Sequence, residues 1–454
     1  MFSYHILRNK FNFSTLFFLT LIASLIPFSL ILGAFIAEVL VFILSVFFIY
    51  FVYSKKINKN YLDNFTKFLF LFWFYLFIKS FLNQEPSYSI IRSFFYFRYI
   101  FFSVLISYLI INYSNFRKIF LYFLTVTLTI LVIHAYGQHL FNVDLFYLDF
   151  KNFSIIQNYE LIMNIWKQPV DYRISGLFYS ESILGSFLIK VLPLYIALLF
   201  YYEKKSFFYI FLALSALILI IISGERAAIA VSLIFITLLL VATSFKFKYY
   251  LFILYFLAVS LIFFTNPNVK QRLYTNTVAS IFEANVNKAN NDTSISISDN
   301  LISRITKKIN FFSQGHEGHM RAGLQIFNDN KLFGVGIKGF RYECGKDKYT
   351  LNNFYACTTH PHNTYVQLLA ETGIFGFLFV LIFYIYLAFL ALKFIFYKQY
   401  RNKKYNYYKV LVFSLIANLF PFLPSGSFFN NWMSITYFLT LAFFMSEHKK
   451  INSN

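Results

Sequence analysis

The chain has 454 residues, of which 59% are hydrophobic and only 13% are charged. Soluble globular domains are about a quarter charged, so this composition excludes an ordinary soluble protein. The formal net charge is +21, but the lysines and arginines collect in short loops between apolar blocks. That distribution indicates membrane topology rather than nucleic-acid binding.

The apolar blocks have the length of about twenty residues that a helix needs to cross a bilayer. We therefore predict an all-α fold, a polytopic membrane helix bundle of about twelve transmembrane helices with a large extracytoplasmic loop region. The predicted spans are residues 13–30, 33–53, 65–82, 94–111, 119–136, 182–201, 207–222, 227–243, 250–265, 374–396, 408–423 and 428–445.

The basic loops alternate along the chain, and short basic loops stay in the cytoplasm. This places both termini in the cytoplasm, and the first span is predicted to be an uncleaved signal anchor because no small-residue cleavage site follows it. Residues 137–181, 223–226 and 266–363 then lie outside. The predicted domains are an N-terminal transmembrane bundle (1–265), a periplasmic loop region (266–363) and C-terminal transmembrane helices (364–454).

The two cysteines, Cys344 and Cys357, both lie in the longest outer loop. An even count in an oxidising compartment favours a disulfide that closes a short loop. The alternative is a pair of unpaired thiols, because a metal site needs more ligands than this pair offers.

The longest outer loop ends in residues 360–376, which read His-Pro-His-Asn-Thr-Tyr-Val-Gln-Leu-Leu-Ala-Glu-Thr-Gly-Ile-Phe-Gly. Asn363 is a favourable cap for the helix that follows, and the N–H groups at a helix start attract anions. His362 is the candidate general base, with His360 as the close alternative, because a neutral imidazole accepts protons near neutral pH. A base beside an anion site indicates chemistry on a phosphate-linked substrate. The competing interpretation is a loop histidine that only caps or packs.

Three further segments each carry an arginine, whose planar fork suits bidentate binding of an anionic group. Arg321 lies in the outer loop, Arg226 follows Ser-Gly-Glu at the outer end of a span, and Arg173 begins Arg-Ile-Ser-Gly-Leu-Phe. The alternatives are a solvated helix residue for Arg321 and a snorkelling interfacial anchor for Arg226. The glycines of residues 334–339 match a dinucleotide motif by letter, but the βαβ context that this motif requires is missing from the sequence pattern.

Two charges fall within predicted spans, Lys190 and Arg98. Facing lipid, each would cost roughly 2.5–3.5 kcal/mol or more, so each is predicted to face the bundle interior or a water-filled cavity. A lipid-linked substrate with a charged head needs such a cavity, and both residues are candidates for binding it. The alternative is an internal structural pair.

Taken in order along the chain, these motifs resemble those of the O-antigen ligase and polymerase superfamily. Its signature is a His-Asn-x-Tyr-like motif opening a helix that ends in Glu-x-Gly-x-x-Gly, and the histidine before the Asn corresponds to His362. Arg321 corresponds to the family's arginine on an outer-loop helix, and Arg226 to the one in its Ser-Arg-Gly/Ala turn. Residues 173–178 resemble its Arg-x-Ser-Gly-x-Phe stretch, but Ser-Glu stands at 180–181 where the family usually has Pro-Asn.

The resemblance implies a metal-independent, inverting glycosyltransferase of the bacterial inner membrane, with its active site on the periplasmic side. The donor would be a glycan on undecaprenyl pyrophosphate and the acceptor a hydroxyl of lipid A-core. His362 would act as base, and Arg321 and Arg226, with Arg173, would hold the diphosphate and stabilise the leaving charge. We expect no cofactor and no metal ion, because arginines can replace a metal electrostatically.

The sequence leaves several alternatives open. A polymerase of the same family would use another lipid-linked repeat as acceptor, and a third branch glycosylates proteins. Arg304 and Gly315 have the Arg-x10-Gly spacing associated with polymerases, but this is a single match. A non-enzymatic polysaccharide flippase or exporter would tend to show internal repeats, and none is evident. A metal site using His316, Glu317, His319 and the motif histidines matches no recognised zinc spacing.

Overall fold

The structure is a computed structural model that describes residues 2–57, 63–83, 86–141, 173–178, 181–204, 206–243, 248–271, 274, 314–350 and 356–452. Within these ranges the chain forms helices, and no strand occurs in them. Arg304 of the polymerase-type spacing lies outside the described residues, and so does most of the predicted outer loop 137–181.

The main helices follow one another in the order of the predicted spans, with two additional helices, one just before the span predicted at 94–111 and one in the outer loop. They are α1 (Phe2–Leu32), α2 (Ala34–Tyr53), α3 (Asn64–Ser80), α4 (Pro86–Phe95), α5 (Phe97–Asn112), α6 (Phe116–Phe141), α7 (Leu184–Tyr201), α8 (Phe207–Ile222), α9 (Arg226–Ala242), α10 (Lys248–Thr265), α11 (Gln314–Asp329), α12 (Thr364–Phe396), α13 (Asn406–Asn418) and α14 (Asn431–Asn452). Short α-helical turns lie at Pro267–Lys270, Phe340–Glu343 and Asp347–Thr350.

Six helical stretches in the described part of the chain are long and apolar enough to cross a membrane. They are Ser14–Leu32, Ala34–Tyr53, Ser89–Asn112, Phe116–Leu140, Leu184–Tyr201 and Thr364–Phe396. Three shorter apolar helices are Phe207–Ile222, Arg226–Ala242 and Ile253–Thr265. The prediction of an all-helical, multi-pass membrane protein is therefore confirmed, whereas the total of about twelve spans stays a prediction.

The last two helices lie in the centre of the bundle. α13 packs against α7 and α9, and α14 packs against α5. Their side chains are buried without interruption from Asn406 to Ala417 and from Met433 to Glu447, as expected for helices surrounded by other helices. By contrast, α2 and α12 expose large apolar side chains such as Phe35 and Phe396. Apolar surface of that kind on a membrane helix is suited to contact with lipid tails.

α12 is broken near its start, and the loop that follows α11 fills the break. Gly373 has non-helical backbone angles (φ 66°, ψ −171°). The carbonyls of Ala370 and Glu371 accept hydrogen bonds of 2.9 Å from the N–H groups of Val335 and Gly336. Backbone groups that lose their helical partners must find others when buried, so this loop holds the first part of α12 in a defined position.

Two glycines make this contact possible. Gly334 and Gly373 both have left-handed backbones, with φ of 63° and 66°, which glycine adopts at little cost. A side-chain carbon added at Gly334 would lie 2.5 Å from the carbonyl carbon of Glu371, and one at Gly373 would overlap the carbonyl of Leu332. The outer-loop Gly-x-Gly turn and the glycine in α12 are therefore two halves of one contact.

A buried lysine of α3 ties the same contact to the bundle. Lys79 is 1% exposed, and its Nζ donates to the backbone carbonyls of Phe333 and Glu371. One turn earlier, the Tyr75 hydroxyl donates to the carbonyl of Thr372 over 2.6 Å. A buried cation needs a partner of opposite charge, and the buried Glu371 carboxylate attracts the Lys79 ammonium group. The sequence pattern did not single out Lys79.

Cys344 and Cys357 form a disulfide, with their Cα atoms 4.9 Å apart. Cys344 belongs to a small apolar cluster that includes Ala322 of α11, Phe340 and Ala370 of α12. The cluster is separate from the main core. It joins α11, the cross-linked loop and the start of α12 into one packed unit.

Candidate functional site

The backbone of His362 has a left-handed conformation, with φ of 55°. This is uncommon for a residue other than glycine, although His and Asn adopt it several-fold more often than most. The next residue, Asn363, caps α12: its Oδ1 accepts from the N–H groups of Tyr365 (3.0 Å) and Val366 (3.1 Å). The predicted cap is confirmed. Because His362 holds an uncommon backbone conformation directly before this cap, we consider a functional role for it.

The segment between α13 and α14 holds this motif from its other side. Asn363 Nδ2 donates to the carbonyl of Pro421 over 2.8 Å, and the Ser425 N–H donates to the carbonyl of His362 over 2.9 Å. The hydroxyls of Thr364 and Ser425 lie 2.8 Å apart. These contacts fix the backbone of His362 independently of its ring.

The same segment shortens the last two predicted spans. α13 ends at Asn418 and α14 begins at Asn431. The apolar runs predict spans at 408–423 and 428–445, so both predictions extend too far into this segment. The backbone leaves the helix because it bonds to the motif instead: the Phe428 N–H donates to Gln367 Oε1 over 2.8 Å. Hydropathy does not report such long-range hydrogen bonds.

α11 brings two further histidines to the motif. The rings of His316 and His319 have centroids 5.0 and 5.3 Å from that of His362, and the His360 ring lies 4.1 Å from it. Residues three apart on a helix are neighbours on one face, which explains why both α11 histidines reach the same place. We call these four residues the histidine cluster.

The close approach of α11 depends on Gly323. A side-chain carbon there would lie 2.7 Å from Val366 Cγ1 and 3.2 Å from Pro361 Cγ. Gly323 follows His316 and His319 at helical spacing and therefore lies on the same face. This one-sided pattern of two histidines and a glycine was the available indication that α11 faces the motif.

Three rings of the histidine cluster, those of His316, His360 and His362, favour the neutral form. Burial first, and then the charge that each neighbouring histidine would carry, lowers the pKa of His362 to about 3. Burial likewise lowers the pKa of His360 to about 4 and lowers that of His316. A neutral ring has a nitrogen that can accept a proton. Among the described side chains, no group of three or more His, Cys, Asp or Glu is arranged to hold a metal ion.

Arg226 is the first residue of α9. It lies close enough to the histidine cluster for its positive charge to lower the pKa of His316. It is positioned by the preceding residue: the Glu225 carboxylate accepts from the N–H groups of Gly185 (2.6 Å) and Ser186 (3.0 Å) at the start of α7. Burial raises the pKa of Glu225, and the charge of Arg173 is one of the influences that oppose this. Arg173 and Arg226 are thus brought together beside α7.

Arg321 lies apart from the histidine cluster. It follows His319 by two residues and so lies on a different face of α11. Its side chain is 57% exposed and forms an ion pair with Glu317 one turn earlier. The sequence reasoning missed Arg341, whose charge is one of the influences that lower the pKa of His360.

The two charges predicted inside spans have different surroundings. Lys190 is 8% exposed, its Nζ donates to Asn418 Oδ1 over 3.1 Å, and it lies 4.7 Å from the ring centre of Tyr437. Arg98 forms a 2.7 Å ion pair with Glu38 and also lines a cavity. Neither side chain is left facing lipid alone, as their cost in hydrocarbon requires.

A comparison with protein-family models supports this interpretation of the motifs. Residues 210–381 match the family model described as O-antigen ligase. No curated protein matches the chain significantly. The matched stretch includes Arg226, all of α11 and the histidine cluster, and it confirms the resemblance to the O-antigen ligase superfamily.

Proposed function

We propose, from the premise that residues 210–381 form a domain of the O-antigen ligase family, that this protein moves a glycan from undecaprenyl pyrophosphate to a hydroxyl of lipid A-core. The family match and the membrane helices support a membrane glycosyltransferase of the ligase or polymerase type. We further propose that it lies in the bacterial inner membrane with both termini in the cytoplasm, and that residues 266–363 and the histidine cluster are periplasmic.

One observation carries the proposal: a neutral His362 ring is held at a capped helix start, among three other histidines, with arginines on α9 and in the loop nearby. Neutral imidazole is the form that removes a proton. Arginines beside it supply the positive charge that a diphosphate leaving group needs.

The proposed reaction is a single displacement. A nitrogen of His362 takes the proton of the acceptor hydroxyl while the hydroxyl oxygen attacks the anomeric carbon. The bond between that carbon and the diphosphate oxygen breaks, and undecaprenyl pyrophosphate leaves with the electron pair. The configuration at the anomeric carbon is inverted. An anion bound near His362 favours its protonated form and so strengthens it as a base once the donor is in place.

We assign the diphosphate to Arg226 and Arg173, which lie together on the α9 side of the cluster. Arg321 joins them in our proposal after leaving Glu317, since it lies on the helix that carries His316 and His319. His360 and Asn363 complete the substrate-binding surface at the start of α12. For Lys190, the internal contacts with Asn418 and Tyr437 favour the structural alternative over substrate binding.

Replacing Arg321 with lysine should impair transfer although the charge is kept. Hydrogen bonds to charged groups contribute about 1.5–3 kcal/mol, so loss of the bidentate fork should lower kcat/KM by about tenfold or more. The measurement is transfer by purified protein with a defined donor and acceptor. The matched control is Glu317→Gln, which removes the ion-pair partner and should leave transfer intact. Equal loss in both variants would mean that Arg321 only stabilises α11.

The pH dependence should report the lowered pKa of His362. Its ring in the free protein, with a pKa of about 3, is neutral at both pH ~5.5 and pH ~7.5. We therefore expect kcat/KM, which reports the free enzyme, to change by less than about threefold between them. A histidine with an unshifted pKa of about 6.5 would lose roughly tenfold over this range. An inflection near that value in wild-type protein would contradict the prediction.

A further inference from the structure

A cavity of about 440 Å³ lies beside α2, α4 and α5, within the range of about 300–1,000 Å³ that is usual for small-molecule sites. It lies at the same end of the bundle as the histidine cluster, because Lys338, from the loop that fills the break in α12, is one of its lining residues. We call it the α2–α5 pocket. The proposed transfer chemistry does not use it.

Among the described residues that line this pocket, cations outnumber carboxylates. It includes Arg92, Arg98 and Lys338, and Glu38 is the carboxylate among its described lining residues. Glu38 is already bonded to Arg98 (2.7 Å) and to the Tyr99 hydroxyl. The pair Arg98–Glu38 is therefore neutral as a unit, and Arg92 and Lys338 are the other two cations among the described lining residues.

Two charged residues beyond the lining, Glu371 and Arg341, have opposite effects on these cations. The buried Glu371 carboxylate attracts the positive charges of Arg92 and Lys338, whereas the Arg341 cation repels both of them. Burial first, and then Arg92 and Arg341, lowers the pKa of Lys338 to about 8. An anion in the pocket would relieve this repulsion between cations.

The other walls of the pocket are apolar and open toward the surface of the bundle. Val39, Phe42, Ile91 and Phe95 line it, and between 42% and 62% of each of these residues is exposed. Val39 lies on a candidate membrane span, as do Phe42, Ile91 and Phe95. A ligand that fits both kinds of wall has an anionic group joined to apolar chains.

The positive charge of Arg341 influences both the pocket and the histidine cluster. The Arg341 charge lowers the pKa of Lys338 at the pocket and that of His360 in the cluster. By contrast, Arg226 acts on His316 from α9. The cluster therefore has a cationic region on the α9 side and a second one on the side of the α2–α5 pocket.

We propose that the α2–α5 pocket binds the phosphate of the acceptor lipid, an inference that rests on the proposed transfer reaction. Arg92 and Lys338 hold the phosphate through charge-assisted hydrogen bonds, and the lipid chains lie along Val39, Phe42 and Phe95. The donor diphosphate occupies the α9 side, so that each lipid has its own anion site and the two react at His362.

A binding measurement tests this without any turnover. Purified protein is titrated in detergent with bisphosphorylated lipid A, with its monophosphorylated form and with inorganic phosphate, and bound lipid is counted by native mass spectrometry. We expect both phosphorylated lipids to bind, because the pocket holds one phosphate, and we expect inorganic phosphate not to displace them at equal concentration. Displacement by phosphate alone would overturn the assignment to a lipid.

Variants locate the binding. Lys338→Gln and Arg92→Gln should each weaken binding of the bisphosphorylated lipid about tenfold, because each removes a charge-assisted hydrogen bond to the phosphate. Lys338→Arg should restore it. The control is Lys348→Gln, which removes an exposed lysine paired with Asp329 on the same outer loop and should change nothing. Unchanged binding in both glutamine variants would overturn the proposal.

Kinetics then separate acceptor from donor. In the transfer assay, Lys338→Gln should raise the KM for the acceptor lipid and leave the KM for the donor unchanged. A rise for the donor alone would assign the pocket to the donor and overturn the inference. If wild-type protein binds the phosphorylated lipid through Lys338 and yet transfers no glycan, the proposed function fails while the anion site stands.

Discussion

Replacing His362 with asparagine should abolish glycan transfer while the protein still folds. Asparagine tolerates the left-handed backbone of this position, and the hydrogen bond from Ser425 goes to the backbone carbonyl, which the substitution keeps. Asparagine cannot take the acceptor proton. General-base catalysis contributes about 10²–10⁴-fold, so we expect a loss of at least about a hundredfold. The measurement is in vitro transfer with purified protein, at matched expression and thermal stability.

The matched control is His360→Asn in the same assay. His360 has its ring 4.1 Å from that of His362, and its Nδ1 lies 2.9 Å from the Thr359 hydroxyl. Its replacement should leave much of the activity, because it alters the surroundings of the base and not the base itself. Normal activity of the His362 variant would end the assignment. Full loss in His360→Asn alone would transfer the role to that residue.

Deleting the gene should leave lipid A-core without glycan and let long chains accumulate on undecaprenyl pyrophosphate. A ligase and a polymerase would both use His362 as base and the arginines as diphosphate clamp, so point variants in the reaction centre do not separate them. They differ in the acceptor, and the products that accumulate in the deletion strain report it directly. Lipopolysaccharide and lipid-linked glycans from that strain are the material to measure.

Core carrying a single repeat in the deletion strain would indicate a polymerase and overturn the choice of lipid A-core as acceptor. It would leave the displacement chemistry intact. Complementation provides the internal control: wild-type protein should restore the normal glycan profile, and His362→Asn should not. If the deletion affects only glycosylated proteins, the protein-glycosylating branch of the family is the correct one.

The local features of the site were predictable from the sequence. The cap at Asn363 was expected because an Asn side chain reaches the N–H groups two and three residues later. The apolar blocks predicted the helices because each is long enough to bury its own backbone hydrogen bonds in a membrane. The motifs around Arg226 and His362 carried the resemblance that the family match confirms.

Its assembly was not predictable from local pattern. His316 and His362 are 46 positions apart, and their 5.0 Å ring separation results from the packing of α11 through Gly323. Arg321 matched the expected motif, yet the helix turns it toward solvent and Glu317. Hydropathy likewise placed the end of the span predicted at 408–423 too late. The helix ends at Asn418, and hydropathy does not report that Asn363 donates a hydrogen bond to the Pro421 carbonyl.

The sequence by itself determined a helical membrane protein and the start of α12, and it supplied the candidates for taking a proton or binding a diphosphate. Each of these depends on a few neighbouring residues or on the length of an apolar run. Only the tertiary structure decided which of those residues meet, how Lys79 joins α3 to the break in α12, and that the α2–α5 pocket collects Arg92 and Lys338. The reason is that these contacts join residues far apart in the chain, whose mutual positions depend on the packing of whole helices.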